Sequence, residues 1–526
     1  MEETERNLRE KIEQEAKNTL KKNMWEGYAN DILTGLQKNP GVQPDRPIWE
    51  LVQNARDVAY ENKKTKIVFI RKQDHFVFQH NGQPFTRTTL QSLILQTSSK
   101  VREDIIQVGQ YGTGFLTTHK FGLDFRLSGS LSLLGGLKFY NFSGRDFIIK
   151  RSAQDKVKLS DDLDATIAKT QQWGLDLNFL EDNPRRETIF EYQHNFNAER
   201  ENTKIAIKEA PKLVPYVLAL NKHIESISFI DEVEGAKEES FTFQNEEIYD
   251  NLENLRVYET TILHSQSGQK DKIISLFLLK SLRCLEEKTG ESKFTIILPF
   301  KKISEGLKVF NFDNSIPRLY LYLPLLGSKD WGGNFLFHSP SFTCDQDSRD
   351  SIMLRFNPQA EVHHDQINKD IIREASDALK KYLTYKYLNL TDVRFLCPIN
   401  FVKGKSDNET NQYYQELQKE WVSFFECLNL VEYEDGKTIP VKSIRVLSNE
   451  LYLACEQDVS LLDAIYNLLS KAVHLILPKK EELLFWSKVI NEWYVDNEAE
   501  NLHIISIDSL VSLIQETTIT ESDLDW

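Results

Sequence analysis

The chain contains 526 residues, of which 40% are hydrophobic and 27% are charged. This length and composition predict a globular protein of about three or four domains and exclude a disordered or fibrous chain. No apolar run reaches the roughly 18 residues that a membrane-spanning helix requires, and the charged segment 1–22 lacks the apolar stretch of a secretory signal. The five cysteines never form a Cys-x-x-Cys pair, which argues against a disulfide framework or a zinc knuckle and favours a cytoplasmic location.

The net charge of −15 is concentrated in two segments of the sequence. Residues 231–253 carry nine acidic side chains against one lysine, and residues 491–526 carry nine with no lysine or arginine. Subtracting their charges of −8 and −9 from −15 leaves +2 for the rest of the chain. The two segments are interpreted as solvated faces or loops. Nucleic-acid binding is not predicted from this charge, although the net charge does not decide whether a local basic groove exists.

The N-terminal part of the sequence alternates helical and strand-like patterns. The predicted elements are one or two helices over 2–38, a helix over 48–60 after several prolines, a strand pair over 66–70 and 75–79, a helix over 86–96, a loop over 104–114, a short helix over 115–121, and strands up to 192. Helices and strands mixed in this order predict an α+β fold, with a two-layer α/β sandwich at the N-terminus.

The rest of the chain is predicted as two further regions. A polar stretch at 193–203 suggests a boundary, so we expect domains over 1–195, 196–357 and 358–526. The middle region is predicted to hold strands over 226–230, 295–298, 318–326 and 334–338, and helices over 213–221 and 271–283. A long helix carrying Ile367, Ile371, Ala375, Leu379 and Tyr382 begins the third region, whose mixed α/β pattern indicates no role.

Three short segments within about 65 residues carry the functional signal. Glu50, Asn54 and Asp57 recur at i, i+4 and i+7, which places them on one helical face. Such a stripe can simply face solvent, or it can aim a carboxylate and an amide into a pocket. There a carboxylate can order and deprotonate a water, and an amide oxygen can bind Mg²⁺.

The second and third segments are glycine-containing bends. His80, Asn81 and Gly82 end a predicted strand, where Asn-Gly by itself indicates only a tight turn. Eight of the 22 glycines fall between residues 101 and 150, and a loop of this kind before a helix can bind phosphates through its backbone N–H groups. The loop and the first helical residue are Gly109, Gln110, Tyr111, Gly112, Thr113, Gly114 and Phe115.

In this order the three segments resemble the GHKL ATPases, which include gyrase B, the ninety-kilodalton heat-shock chaperones, histidine kinases and MutL. The resemblance covers roughly residues 20–195 and implies a Bergerat ATP-binding fold. The pattern Glu-x3-Asn-x2-Asp is complete, and the glycine loop is most similar to the chaperone and sacsin-type branch. The segments 317–320 and 348–351 resemble the sacsin-type middle region more loosely.

The resemblance implies a role for each site residue. Glu50 would activate water and contact Mg²⁺ through it, Asn54 would bind Mg²⁺, and the glycine loop would wrap the phosphates of ATP. Thr188, in Glu187-Thr188-Ile189-Phe190, would help to hold the adenine. Residues 97–107 would form a mobile lid in which Lys100 could contact phosphate. Arg349 would sense the γ-phosphate from the middle domain, unless it is an ordinary surface arginine.

One residue departs from the family pattern. The family has an aspartate that accepts a hydrogen bond from the adenine amino group, and His80 stands in its place here, with Pro84 replacing a later glycine. A neutral imidazole or the Asn81 side chain could accept one bond, whereas His80 could also simply cap the turn. Loss of the charged acceptor should weaken adenine discrimination by about 1–2 kcal/mol.

Two functional hypotheses follow from the sequence. The first is a slow Mg²⁺-dependent ATPase, chaperone-like or sacsin-like, whose lid and middle domain close on ATP as a switch in a larger assembly. Its partners would be a nucleotide and another protein or a second copy, with no membrane, and analogy alone suggests bacterial antiviral defence. The second is a nucleotide-binding interaction module without turnover. A histidine kinase is disfavoured because such enzymes need a phosphoacceptor histidine on a helix before the ATP-binding domain. The first histidine here is His75, which lies inside that domain.

Overall fold

The structure is a computed structural model that describes residues 2–38, 41–97, 114–153, 155–283, 291–345, 350–401, 408–434, 437–472, 475–494 and 503–516. Several predicted site residues lie outside the described residues: Lys100, Gly109, Gln110, Tyr111, Gly112, Thr113 and Arg349. The same holds for the predicted lid beyond Thr97.

Helices and strands follow one another along the whole described chain. The α-helices are α1 (Glu2–Gln37), α2 (Arg46–Asp57), α3 (Arg87–Leu95), α4 (Lys156–Gln172), α5 (Asn197–Glu209), α6 (Val214–Leu220), α7 (His364–Lys386), α8 (Asn408–Glu426), α9 (Asn449–Gln457), α10 (Val459–Leu469), α11 (Lys480–Trp493) and α12 (Ile507–Glu516). The short helix predicted over 115–121 is a 3-10 helix over Gly114–Lys120. None of the described helices is long and apolar enough to cross a membrane.

The strands are β1 (Thr65–Arg71), β2 (His75–His80), β3 (Phe125–Leu133), β4 (Lys138–Phe142), β5 (Ile148–Ile149), β6 (Leu180–Glu181), β7 (Thr188–Gln193), β8 (Ile224–Asp231), β9 (Lys237–Leu252), β10 (Leu255–Gln266), β11 (Lys272–Ser281), β12 (Thr295–Leu298), β13 (Phe300–Ile303), β14 (Gly306–Val309), β15 (Leu319–Leu321), β16 (Leu323–Pro324), β17 (Gly332–Gly333), β18 (Leu336–His338), β19 (Leu390–Thr391), β20 (Ile399–Asn400), β21 (Asn429–Glu434), β22 (Lys437–Pro440), β23 (Val446–Leu447) and β24 (Ile504–Ile505).

Fifteen of these strands belong to one mixed sheet within the described part of the chain. Its order is β16-β15-β18-β12-β11-β10-β9-β8-β1-β2-β7-β3-β4-β6, with β5 paired to β3. β1 and β2 are antiparallel, whereas β1 and β8 run parallel, so the sheet continues from the N-terminal strands into the middle of the chain. The α+β class predicted from the sequence is confirmed. The boundaries of the three predicted domains stay a prediction.

α2 lies against the sheet because one of its faces is apolar. Its fully buried residues Ile48, Leu51, Val52 and Ala55 recur at helical spacing and share one core with Phe76 and Phe78 of β2. A proline in the first turn starts the helix without losing a backbone bond. α2 therefore begins two residues earlier than predicted, and its other face is left for Glu50 and Asn54.

The helix predicted over 271–283 is wrong, because this segment is the strand β11. The run Ile273–Leu279 is apolar without interruption, and periodicity alone cannot assign such a short run to a helix or a strand. In the structure β11 pairs along its length with β10 and also with β12, so Phe277 and Leu279 are fully buried. Pairing partners on both sides decide the outcome, and they are the strands that precede and follow this segment in the sequence.

Two further apolar cores are formed by residues that follow the three predicted nucleotide-binding segments in the sequence. The larger of them joins the middle strands to α7, α8 and α11, with Trp421 and Trp486 fully buried. The predicted long helix is confirmed as α7, where Ile371, Ala375 and Leu379 are buried and Ile367 is 37% exposed. A smaller core packs α9, α10 and β24 together.

Candidate functional site

Glu50 lies in a buried charged group at the N-terminal end of α2. Its side chain is almost completely buried, and its Oε1 accepts hydrogen bonds from Arg46 Nη2 at 3.0 Å and Arg46 Nε at 3.1 Å. The same guanidinium pairs with the carboxylate of Asp350, which is 304 residues further along the chain. Burial opposes the charge of Arg46, but the carboxylates of Glu50 and Asp350 outweigh it and raise the pKa of Arg46.

Asp350 connects this charged group to the middle of the chain. Burial raises the pKa of its carboxyl, and the charge of Arg46 opposes that rise. Its backbone oxygen accepts the N–H of Gly327 at 2.9 Å. A Cβ on Gly327 would lie 2.9 Å from that same oxygen, so only glycine fits there without a shift. The segment at Asp350 is therefore docked to α2 and to the 3-10 turn Leu326–Ser328.

The other carboxylate oxygen of Glu50 lies against Gly114. A Cβ built on Gly114 would be 2.2 Å from Glu50 Oε2 and 2.8 Å from its Cδ. Gly114 begins the 3-10 helix Gly114–Lys120, which packs beside α2. The acid and the last glycine of the predicted loop, 64 positions apart in the sequence, are thus in direct contact.

The remaining residues of the predicted stripe differ in their surroundings. Asn54 is half-buried, one turn beyond Glu50. Asp57 has an almost fully buried side chain whose Oδ1 lies 3.3 Å from Arg56 Nη1. Arg56 in turn stacks on the ring of Tyr322, 3.9 Å from its centroid. Asp57 therefore has a structural partner, and Asn54 is the more open of the two.

His80 lies at the opposite end of α2, at the end of strand β2. Its Nδ1 accepts the backbone N–H of Gly82 at 3.2 Å, and burial lowers the pKa of His80 to about 4. A Cβ on Gly82 would lie 2.7 Å from Val58 Cγ2, which shows how closely this turn approaches the C-terminal end of α2. Eight residues of helix, about 12 Å of rise, separate Glu50 from Val58.

Thr188 is the direct neighbour of His80 in the sheet. The two residues are opposite each other in the antiparallel pair β2–β7, which puts their side chains on the same face. Thr188 is buried. The predicted base-binding residues on two separate segments therefore lie side by side.

Two predicted binding residues have structural partners. Asn81 Oδ1 accepts the backbone N–H of Lys66 at 2.7 Å, so this amide oxygen holds the start of β1. Phe115 packs in the aromatic core, with its ring 5.9 Å from Phe125 and 6.0 Å from Phe190. The sequence could not distinguish these contacts from ligand contacts.

Sequence reasoning missed Arg46 and Asp350. Arg46 precedes Glu50 by one helical turn, so the i, i+4 spacing of opposite charges was a usable signal. Asp350 lies in the segment 348–351 that resembles the sacsin-type middle region, but its contact with Arg46 had no signal, because only the fold brings it to α2.

The side-chain oxygen atoms of Asn54 and Glu50 are of the type that Mg²⁺ prefers. Asn54 supplies an amide oxygen and Glu50 a carboxylate, and Mg²⁺ usually keeps several waters and binds only one or two protein oxygens together with phosphates. In the described ranges no group of three or more histidine, cysteine, aspartate or glutamate side chains could hold a metal alone. The residues present thus fit a magnesium ion carried by a nucleotide better than a closed metal cage.

Comparison with known proteins adds little to this geometry. No family model and no curated protein matches the sequence. Among solved structures, the chain is similar to the ATPase region of Saccharomyces cerevisiae topoisomerase II bound to ICRF-187 (dexrazoxane), with 12% identity and a TM-score of 0.21. The match covers 39% of this chain and 59% of that structure. At this TM-score the similarity carries no argument about function.

Proposed function

We propose that this protein binds a nucleoside triphosphate with Mg²⁺ and hydrolyses it slowly, as a GHKL-type ATPase related to the chaperone and sacsin-type branch. The observation that carries the proposal is the contact between the Glu50 carboxylate and Gly114. A buried acid against the end of a glycine-rich loop is the arrangement needed to hold a water beside a terminal phosphate. ATP is the nucleotide that the motif resemblance implies.

Each residue then has a task along α2. Glu50 orients a water and accepts its proton, and Asn54 directs its amide oxygen toward the magnesium ion. That ion, when bound with the nucleotide, neutralises phosphate charge. His80 and Thr188, at the other end of the helix, contact the base. The proposal thus places phosphates near the N-terminal end of α2 and the base near its C-terminal end.

We further propose that the site acts as a conformational switch. Arg46 holds both Glu50 and Asp350, so the acid at the site is joined to the middle of the chain through one guanidinium. A nucleotide that draws Arg46 or Glu50 toward its phosphates would favour a different arrangement of the segment at Asp350. The output would be association with a protein partner or a second copy, and a role in bacterial antiviral defence rests on analogy.

A second function is favoured by the Arg46–Glu50 pair. A carboxylate oxygen that already accepts two hydrogen bonds from a guanidinium is occupied and has less room to accept a proton from water. In the arrangement described here Glu50 is held by Arg46, which favours a nucleotide-binding interaction module without turnover. The two functions predict different rates for the same variants.

Phosphate release by purified protein with Mg²⁺ and ATP separates them. Loss of a general base typically costs about 10²–10⁴-fold in rate, so Glu50→Ala should lose that much if the protein is an enzyme. Glu61→Ala, at an exposed glutamate just beyond α2, is the matched control and should keep the wild-type rate. Identical rates for wild type and Glu50→Ala would contradict hydrolysis and leave the interaction module.

Nucleotide binding is tested separately at Asn54. Titration of Asn54→Ala with a non-hydrolysable ATP analogue should lose the part of the affinity that depends on Mg²⁺, because the amide oxygen ligand is gone. Asn62→Ala, at an exposed asparagine, serves as the control. If Asn54→Ala binds as the wild type does, with and without Mg²⁺, the assignment of this residue is wrong.

A further inference from the structure

The two ring nitrogens of His80 have different and fixed hydrogen-bonding roles. The backbone N–H of Gly82 lies 3.2 Å from Nδ1, and because a backbone amide can only donate, Nδ1 must be the acceptor. A neutral imidazole has one acceptor and one donor nitrogen, so the proton is on Nε2. Burial lowers the pKa of His80 to about 4, which keeps the ring neutral at physiological pH.

This arrangement reverses what a carboxylate would do at the same position. An aspartate has two acceptor oxygens, so it could accept the Gly82 N–H with one and a ligand donor with the other. His80 keeps the bond to Gly82 but has only an N–H left to offer a ligand. The expectation that this imidazole accepts a bond from an amino group is therefore wrong, since its acceptor is already used by the turn.

The donor nitrogen belongs to a ring on the sheet face that α2 covers. Phe76, Phe78 and His80 are every second residue of β2, so their side chains lie on the same face of the sheet. The two phenylalanines share a core with α2. The ring of His80 lies 5.4 Å from Phe78 and 6.4 Å from Phe190. With 5% of the residue exposed, water competes poorly there, so a donor that meets another donor is costly.

We propose that His80 selects a nucleobase that presents a carbonyl oxygen, not an amino group, where the base meets this ring. The proposal rests on the nucleotide binding proposed above and changes its base. The 6-oxopurines guanine and hypoxanthine carry an acceptor at O6, whereas adenine carries an amino donor there. GTP and ITP should therefore bind more tightly than ATP. Thr188, whose hydroxyl both donates and accepts, fits either base.

The test compares Mg²⁺-bound imido analogues of ATP and ITP by calorimetry on the full chain. ITP is the better comparison with ATP because it lacks the 2-amino group of GTP, so the two bases differ only at the 6-position and at the adjacent N1, which carries a hydrogen in hypoxanthine. Binding of the ATP analogue would leave the buried N–H of His80 without an acceptor. We therefore expect the ITP analogue to bind at least about tenfold more tightly than the ATP analogue. The preference should be the same at pH 6 and pH 8.

A pair of isosteric variants then separates polarity from shape. His80→Asn can accept the Gly82 N–H with its oxygen and still offer an N–H, so it should keep the preference for ITP. His80→Asp offers a second acceptor instead and should reverse the preference toward ATP. His75→Asn, at the other end of β2, is the control and should bind as the wild type does. Circular dichroism and thermal unfolding verify that each variant is folded.

The possible results are distinct. An ITP preference in the wild type that the aspartate variant reverses and the asparagine variant keeps supports the inference. Equal binding of the two analogues, or tighter binding of the ATP analogue, overturns the inference but not the proposal that the protein binds a nucleotide. The same base preference in the aspartate and the asparagine variants also overturns the inference alone. If neither analogue binds the wild type at millimolar concentration, nucleotide binding itself fails, and this inference fails with it.

Discussion

Replacing Gly114 with alanine should displace the Glu50 carboxylate and slow hydrolysis. The new Cβ would lie 2.2 Å from Glu50 Oε2, 2.8 Å from Cδ and 3.1 Å from Oε1. Carbon–oxygen contacts normally begin near about 3.3 Å, so the carboxylate must retreat by about 1 Å. Gly114 has no positive φ, so the effect comes from contact alone and not from backbone strain.

The size of the effect follows from that displacement. A misplacement of about 1 Å at a reacting group can cost about 10²-fold in rate, and overpacking a buried site costs about 1–3 kcal/mol of stability. We therefore expect Gly114→Ala to release phosphate about 10²-fold more slowly in single turnovers at saturating Mg²⁺ and nucleotide. Nucleotide affinity should fall far less, because the contacts of the base lie at the other end of α2.

Gly27 offers a matched control for this substitution. A Cβ on Gly27 in α1 would meet nothing within 4 Å, and alanine is favoured over glycine in a helix by about 1 kcal/mol. Gly27→Ala should therefore keep the wild-type rate and be slightly more stable. A Gly114→Ala variant with wild-type turnover and wild-type unfolding would refute the contact between Gly114 and Glu50, and with it the proposed position of the acid.

Two further predictions concern stability. Arg46→Ala should destabilise the protein by about 3 kcal/mol in urea unfolding, because it leaves the buried carboxylate of Glu50 and the partly buried carboxylate of Asp350 without their guanidinium. A double-mutant cycle with Asp350→Ala that gives simple additivity would show that the pair is not coupled. Acid should also destabilise the fold through buried neutral histidines. Mainly because of burial, the pKa is lowered to about 4 for His80 and to about 3 for both His119 and His338. Because the unfolded chain takes up protons near pH 6.5 and the folded chain does not, the stabilisation is complete above that pH and is lost as pH falls toward 4, by about 2 kcal/mol per histidine at pH 5. Unfolding free energies that are flat from pH 7 to pH 5 would contradict this burial.

Local patterns were sufficient wherever the structure is decided by neighbours in the sequence. The spacing of Glu50, Asn54 and Asp57 predicted one face of a helix, and α2 carries its fully buried apolar residues, Leu51 and Val52 among them, on another. Alternation predicted β1 and β2, and Thr86 as the start of the helix after them is confirmed by its capping bonds. In each case the interactions that favour the element join residues within about one helical turn or one pair of neighbouring strands.

Interactions between separate segments, and the atoms used within a turn, could not be inferred in the same way. The apolar run Ile273–Leu279 satisfies a helix or a strand equally well, and only pairing with β10 and β12 makes it a strand. Likewise, the spacing of His80, Asn81 and Gly82 indicated a turn, but which atoms the turn would use depends on backbone N–H groups whose positions no sequence pattern specifies.

The order of residues in the chain determined the α+β class, the polar face of α2 and the identity of its acid and amide, because helix and strand periods are short-range properties. The local turn from His80 to Gly82 decided which ring nitrogen of His80 is left for a ligand. Tertiary structure alone decided that Glu50 rests on Gly114 and that Arg46 joins it to Asp350. Those contacts arise from packing between segments separated by up to 304 residues, where each side chain takes the partner that the completed fold brings within reach.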